Sequence, residues 1–142
     1  MSNTNIRVTD FRKNLLKWKQ LYSAKFIFFS LLFFVLFCRK PESLLNPQFF
    51  AEDGTEWFYD AYMGNMNPFE KYMEYCHLIP RVTSVIAVNI SLKHTPFIFN
   101  LTSIIIATYC CFYFSLRRFR LVIKNDNVRK CICLLFVINP VS

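Results

Sequence analysis

The chain has 142 residues, 54% of them hydrophobic and 18% aromatic, and a formal charge of +8. Its two glycines, Gly54 and Gly64, exclude a glycine-rich phosphate-cradling loop and disfavour a turn-dense β-sandwich. The seventeen phenylalanines fall in uncharged runs, the pattern of lipid-facing helices, while the basic residues stand at the ends of those runs. The positive charge therefore points to a membrane and not to nucleic acid.

The predicted fold class is an all-α integral membrane protein with two transmembrane helices and the start of a third. Residues 1–20 form a basic N-terminus, and residues 21–38 the first span, with Lys25 near one end where its ammonium can snorkel to the headgroups. No small-x-small cleavage site follows this run before Arg39, so it reads as an anchor and not as a secretory signal. Residues 39–95 form a loop with juxtamembrane helices at about 50–65 and 77–93. Residues 96–116 hold no charge and match a hydrocarbon core of about 30 Å. Pro96 suits the first turn of that helix, where its missing N–H costs nothing. Residues 117–130 form a basic loop, and residues 131–142 begin a span that reads as cut, with further helices expected beyond it.

Charge sets the expected orientation. Over the first 25 residues, Arg7, Arg12, Lys13, Lys17, Lys19 and Lys25 face one acid, Asp10, which puts the N-terminus in the cytoplasm. The 39–81 segment carries Glu42, Glu52, Asp53, Glu56, Asp60, Glu70 and Glu74 and belongs outside. Arg117, Arg118, Arg120, Lys124, Arg129 and Lys130 belong inside. Two spans satisfy all three assignments. A third across Val82–Leu92 would turn the last basic loop outward, so that stretch is expected to lie at the outer interface. The cysteines read as small apolar residues, not as a disulfide set or a zinc site.

The chemistry-bearing part is the outer loop, beginning Phe49-Phe50-Ala51-Glu52-Asp53-Gly54-Thr55-Glu56-Trp57-Phe58. At about 100° per residue, Glu52, Asp53, Glu56 and Asp60 share one face of a helix, and Trp57, Phe58, Ala61 and Tyr62 share the adjoining one. An acidic stripe beside anionic headgroups is unfavourable unless it has a task, such as a general base or a holder of a divalent metal ion. The structural alternative is a capping box, with Asp53 capping and Glu56 reaching back. Further on, Arg81 is placed to bind a lipid phosphate or anchor to headgroups. His77 reads as an interfacial hydrogen-bonding residue or a site residue, and Tyr72 and Tyr75 fit an aromatic belt.

The two patterns Phe49-Phe50-Ala51-Glu52-Asp53-Gly54 and Tyr75-x-His77-Leu78-x-Pro80-Arg81, in this topological frame, resemble the N-terminal part of bacterial GT-C-type glycosyltransferases. Those integral membrane enzymes of the bacterial plasma membrane use polyprenyl-phosphate-linked sugars. The resemblance spans roughly residues 26–120, and Glu74 stands where that group tends to have glycine. It implies an inverting transfer to an extracytoplasmic acceptor, with Asp53 or Glu52 as catalytic base. Arg81, His77 and Tyr75 would serve at the substrate and lipid phosphate. The same acids, Asp53 and Glu52, are the candidate holders of a divalent metal ion. The implied partners are membrane lipid, the lipid-linked sugar and further C-terminal helices. Alternatives are a small two-span accessory protein that binds through its acidic-aromatic loop, and an inactive truncated remnant.

Overall fold

The computed structural model describes residues 22–72 and 74–139. The basic N-terminus expected over 1–20 and the last three residues of the expected third span lie outside the described residues. The described chain is mostly helical, and its sheet is one two-stranded hairpin.

Two helices are long and apolar enough to cross a membrane. Helix α1, Tyr22–Arg39, is one; the other is the run Leu92–Leu121, whose central part is α5, Thr95–Phe114. Only a small share of either helix is buried, unlike the core helix of a soluble protein. Phe26, Ile27, Leu31 and Phe34 of α1 and Ile105 and Tyr109 of α5 are exposed large side chains. Such surfaces need an apolar surround. Short α2, Glu42–Leu45, follows Pro41 and places Glu42 in its first turn, where an acid suits the helix dipole.

The segment expected to be a regular amphipathic helix is wound differently. Asp53–Phe58 is a π-helix that runs into α3, Tyr59–Tyr62. The wider winding breaks the 100° spacing from which the acidic and aromatic faces were predicted, and wide turns of this kind recur at functional sites. A hairpin follows, β1 Lys71–Tyr72 and β2 Tyr75–Cys76, in which Tyr72 pairs with Tyr75.

Helix α4, Leu78–Ile90, has 13 residues, about 20 Å at 1.5 Å per residue, too short for a bilayer core. Its outward stripe is Leu78, Val82, Ile86 and Ile90, while Arg81, Ser84 and Ala87 are buried. The face turned into the protein is thus small and polar, and the apolar face is turned out. That inversion suits a helix with lipid on its outer side.

Helix α6, Asp126–Ile138, begins earlier than the apolar run that predicted it, and so includes Arg129 and Lys130. Asn125 caps it, its side chain accepting from the Asn127 amide at 2.9 Å. Asp126 binds both Arg120 (2.8 Å) and Arg129 (2.6 Å), and Arg129 also donates to the Ile123 carbonyl. These bonds let a helix with two basic residues begin inside the expected loop.

Contacts divide the chain into two compact units. One is Leu36–Cys110; the other joins the part of α1 up to Val35 with the segment from Cys111 onward.

Candidate functional site

The loop unit builds its site on an aromatic floor. Phe49 packs at 5.1 Å on Phe58 and at 5.9 Å, edge-on, on buried Phe99 of α5. Gly54 lies against that ring: a Cβ there would stand 3.1 Å from Phe49 Cγ and Cδ2. A side chain after the acid pair would press on this ring, which would have to give by a few tenths of an ångström. Ala51 turns the chain into the helix with φ +45°, a left-handed conformation uncommon for a non-glycine residue.

The π-helix then carries Trp57 inward, where it is almost fully buried. Three side chains gather on its ring. His77 stacks at 5.1 Å, Tyr72 meets it edge-on at 5.0 Å, and the Arg81 guanidinium carbon lies 5.0 Å from the ring centroid. Tyr72 also meets His77 edge-on at 5.9 Å. The π-helix supplies the platform, the hairpin supplies Tyr72, and the first turn of α4 with its preceding residue supplies Arg81 and His77.

Arg81 is 3% exposed. Its Nη1 donates to the Asn67 carbonyl at 2.8 Å and lies 3.8 Å from the exposed Glu70 carboxylate. Asn67 is held in turn by its own side chain, which accepts from the Phe69 amide at 3.1 Å. The Arg81 Nε is buried with no hydrogen-bond partner among the described residues. A buried N–H left unmade costs about 1–3 kcal/mol, so the cluster holds a cation with unused donor capacity.

The predicted site residues are not all brought together. Arg81 and His77 join the cluster. Tyr75 does not: its ring is exposed, and its cross-strand neighbour Tyr72 makes the contact. Arg81 turns into the protein, which sets aside simple headgroup anchoring. Glu52 stands exposed at the N-cap and Asp53 is half-buried in the first turn. The capping-box alternative is not realised, since the N-cap residue is Glu52 and no side chain caps this helix end.

Burial pushes the Asp53 carboxyl above the ordinary aspartate range. A hydrogen bond from the Phe50 backbone pulls it down, and the neighbouring Glu52 charge raises it again. Burial, followed by the charges of Glu56 and Glu52, pushes the Tyr72 phenol up. Both glutamates therefore act electrostatically on the aromatic cluster. Trp57 and Tyr72 were missed as site residues, because both resemble ordinary interfacial aromatics until the fold places them on Arg81.

Among the described residues no group of three or more His, Cys, Asp or Glu side chains converges as a metal site. Hard cations take six or more oxygen ligands, or keep several waters beside one or two carboxylates. Asp53 and Glu52 supply two carboxylates, and no third His, Cys, Asp or Glu gathers with them among the described residues. No family model, curated protein or solved structure matches the chain.

Proposed function

We propose that this chain is the N-terminal part of an integral membrane glycosyltransferase of the bacterial plasma membrane. In this reading the N-terminus is cytoplasmic and the Leu36–Cys110 unit faces outward. The enzyme moves a sugar from a polyprenyl-phosphate donor to an extracytoplasmic acceptor. The observation that carries the reading is Asp53: a half-buried carboxyl with raised proton affinity, on the same helical segment whose Trp57 receives Arg81 and His77.

Asp53 takes the proton of an acceptor hydroxyl, and the oxygen attacks the anomeric carbon. The bond from that carbon to the phosphate oxygen breaks, and its electron pair leaves with the polyprenyl phosphate. Inversion follows from attack and departure on opposite faces. The phosphate is a good leaving group without strong acid assistance. The buried positive charge of Arg81 balances, through the protein and without direct contact, the charge that develops on it.

Asp53→Asn tests the assignment in membranes holding the full-length gene product, with protein level normalised by immunoblot. The amide keeps size and hydrogen bonding but takes no proton, so transfer should fall about 10²–10⁴-fold. Glu56→Gln should keep most activity. Wild-type transfer should decline as pH is lowered through a titration above 3.8, the ordinary aspartate value, because the base is the ionised form and burial raises its pKa. Near-normal transfer by Asp53→Asn would end the catalytic assignment.

A second reading draws on the aromatics the loop leaves exposed, Phe50, Tyr59, Tyr62, Phe69 and Tyr75. These suit an accessory protein that binds a membrane partner through this surface. That reading predicts partner capture that is lost with Phe69→Ala and Tyr75→Ala and indifferent to Asp53→Asn.

A further inference from the structure

We propose that a basic recess at the end of the two long apolar helices holds the headgroup of an anionic phospholipid. The proposal rests on the membrane orientation given above but not on sugar transfer. The recess, of about 120 Å³, lies within the unit that joins α1 up to Val35 with the segment from Cys111 onward. Lys25 and Phe28 of α1 line it, as do Phe112 of α5, Arg117 just after α5, and Asp126 and Lys130 of α6.

Charge and shape both favour this ligand. Lys25, Arg117 and Lys130 form no ion pair among the described residues. The carboxylate in the recess is already committed: Asp126 binds Arg120 at 2.8 Å and Arg129 at 2.6 Å. Three cations are thus left unbalanced around one small recess. Its apolar wall is the Phe28–Phe112 pair, with ring centroids 6.3 Å apart, and Phe29 supports Phe112 from outside the recess, edge-on at 5.6 Å. The Lys130 ammonium lies 5.9 Å from the Phe28 ring centroid. Cations at the rim of an apolar wall match a phosphate joined to acyl chains better than they match a free anion. In the proposed orientation this rim faces the cytoplasmic leaflet, where juxtamembrane basic pockets recognise anionic headgroups.

The test is retention of lipid by the detergent-purified full chain, read by native mass spectrometry. The probes are dioleoylphosphatidylglycerol, dioleoylphosphatidylcholine and inorganic phosphate. Wild type should hold the phosphatidylglycerol at least about tenfold more strongly than the phosphatidylcholine, and each of Lys25→Gln, Arg117→Gln and Lys130→Gln should weaken it about fivefold. Arg39→Gln/Lys40→Gln, which alters basic residues outside the recess, should leave retention unchanged. Equal retention of the two lipids, or retention indifferent to the three glutamine variants, would overturn the proposal. Displacement of the lipid by millimolar inorganic phosphate, without preference between lipids, would mark a free-anion site and overturn it as well.

A photoreactive phosphatidylglycerol on unmodified protein covers the case in which a variant fails to fold. Crosslinks within 24–28 or 112–130 are expected, and crosslinks confined to other segments count against the recess. Asp53→Asn should retain the lipid as wild type does, so loss of transfer and loss of lipid report on separate claims. Release of the chain from membranes by alkaline carbonate would overturn the membrane reading itself.

Discussion

Arg81 is nearly out of solvent, yet it has one well-made hydrogen bond, one weak Nη1 contact to the Met66 Sδ, one distant exposed carboxylate and one unpaired N–H. Its position is fixed as much by shape as by charge, since the flat guanidinium lies on Trp57 while its Nη1 reaches Asn67. Lysine keeps the charge but not the plane or the fork. Arg81→Lys should therefore lower stability by about 1–3 kcal/mol, measured as thermal unfolding in detergent, and should reduce transfer further still. Unchanged unfolding would mean that the stacked guanidinium contributes nothing. Glu74, like Ala51, carries backbone strain. It sits at φ +70° in the hairpin turn, where L side chains are disfavoured and glycine is at ease. The side chain is exposed, so the position is demanding in its backbone and permissive in its chemistry. Glu74→Gly should stabilise the protein by about 1 kcal/mol, and a lower melting temperature would refute the strain argument.

At the scale of elements, the apolar runs were legible because length and hydrophobicity alone determine them. Helices α1 and α5 lie where the uncharged stretches put them, and α4 is as short as its apolar run. The π-winding of Asp53–Phe58 was not legible. Nothing in Asp-Gly-Thr-Glu-Trp-Phe favours it locally, and it is stabilised by contacts with Phe49, Tyr72, His77 and Arg81 that come from separate elements. The start of α6 was missed for a related reason: hydropathy placed it at Cys131, but the Asn125 cap and the Asp126 ion pairs set it earlier. Those pairs carry their own prediction. The arginines hold the Asp126 carboxyl down at about 2, first through the hydrogen bond from Arg120 and then through that from Arg129. A depressed folded-state pKa gives stability that is present above the ordinary carboxylate value and is lost as pH falls through the folded one. The melting-temperature gap between wild type and Asp126→Asn should therefore be full at about pH 5 and close by about pH 2. A gap that stays constant across that range would mean the pairs do not stabilise α6.

At the scale of the whole molecule, two helices are long and apolar enough to cross a membrane and one is too short, and the proposed reading must place the charges of their connecting segments. The acidic segment between α1 and α4 contains the aromatic cluster, and the basic segment after α5 contains the Arg120–Asp126–Arg129 ion pairs. In the proposed reading, an even number of crossings between the basic ends would keep both in the cytoplasm, in line with the distribution of Lys and Arg. If α4 crossed as well, its 13 residues would have to span a core about 10 Å thicker than the helix is long, and the second basic segment would face outward. Single cysteines in a cysteine-free background decide between the two arrangements. Thr55 and Lys124 are suitable positions because both are exposed, and replacing Lys124 leaves the Asn125 cap of α6 intact. An impermeant thiol reagent applied to intact cells should label Thr55→Cys and spare Lys124→Cys until the membrane is opened. Labelling of Lys124→Cys together with Thr55→Cys in intact cells would require α4 to cross, and would remove the cytoplasmic placement of the lipid recess.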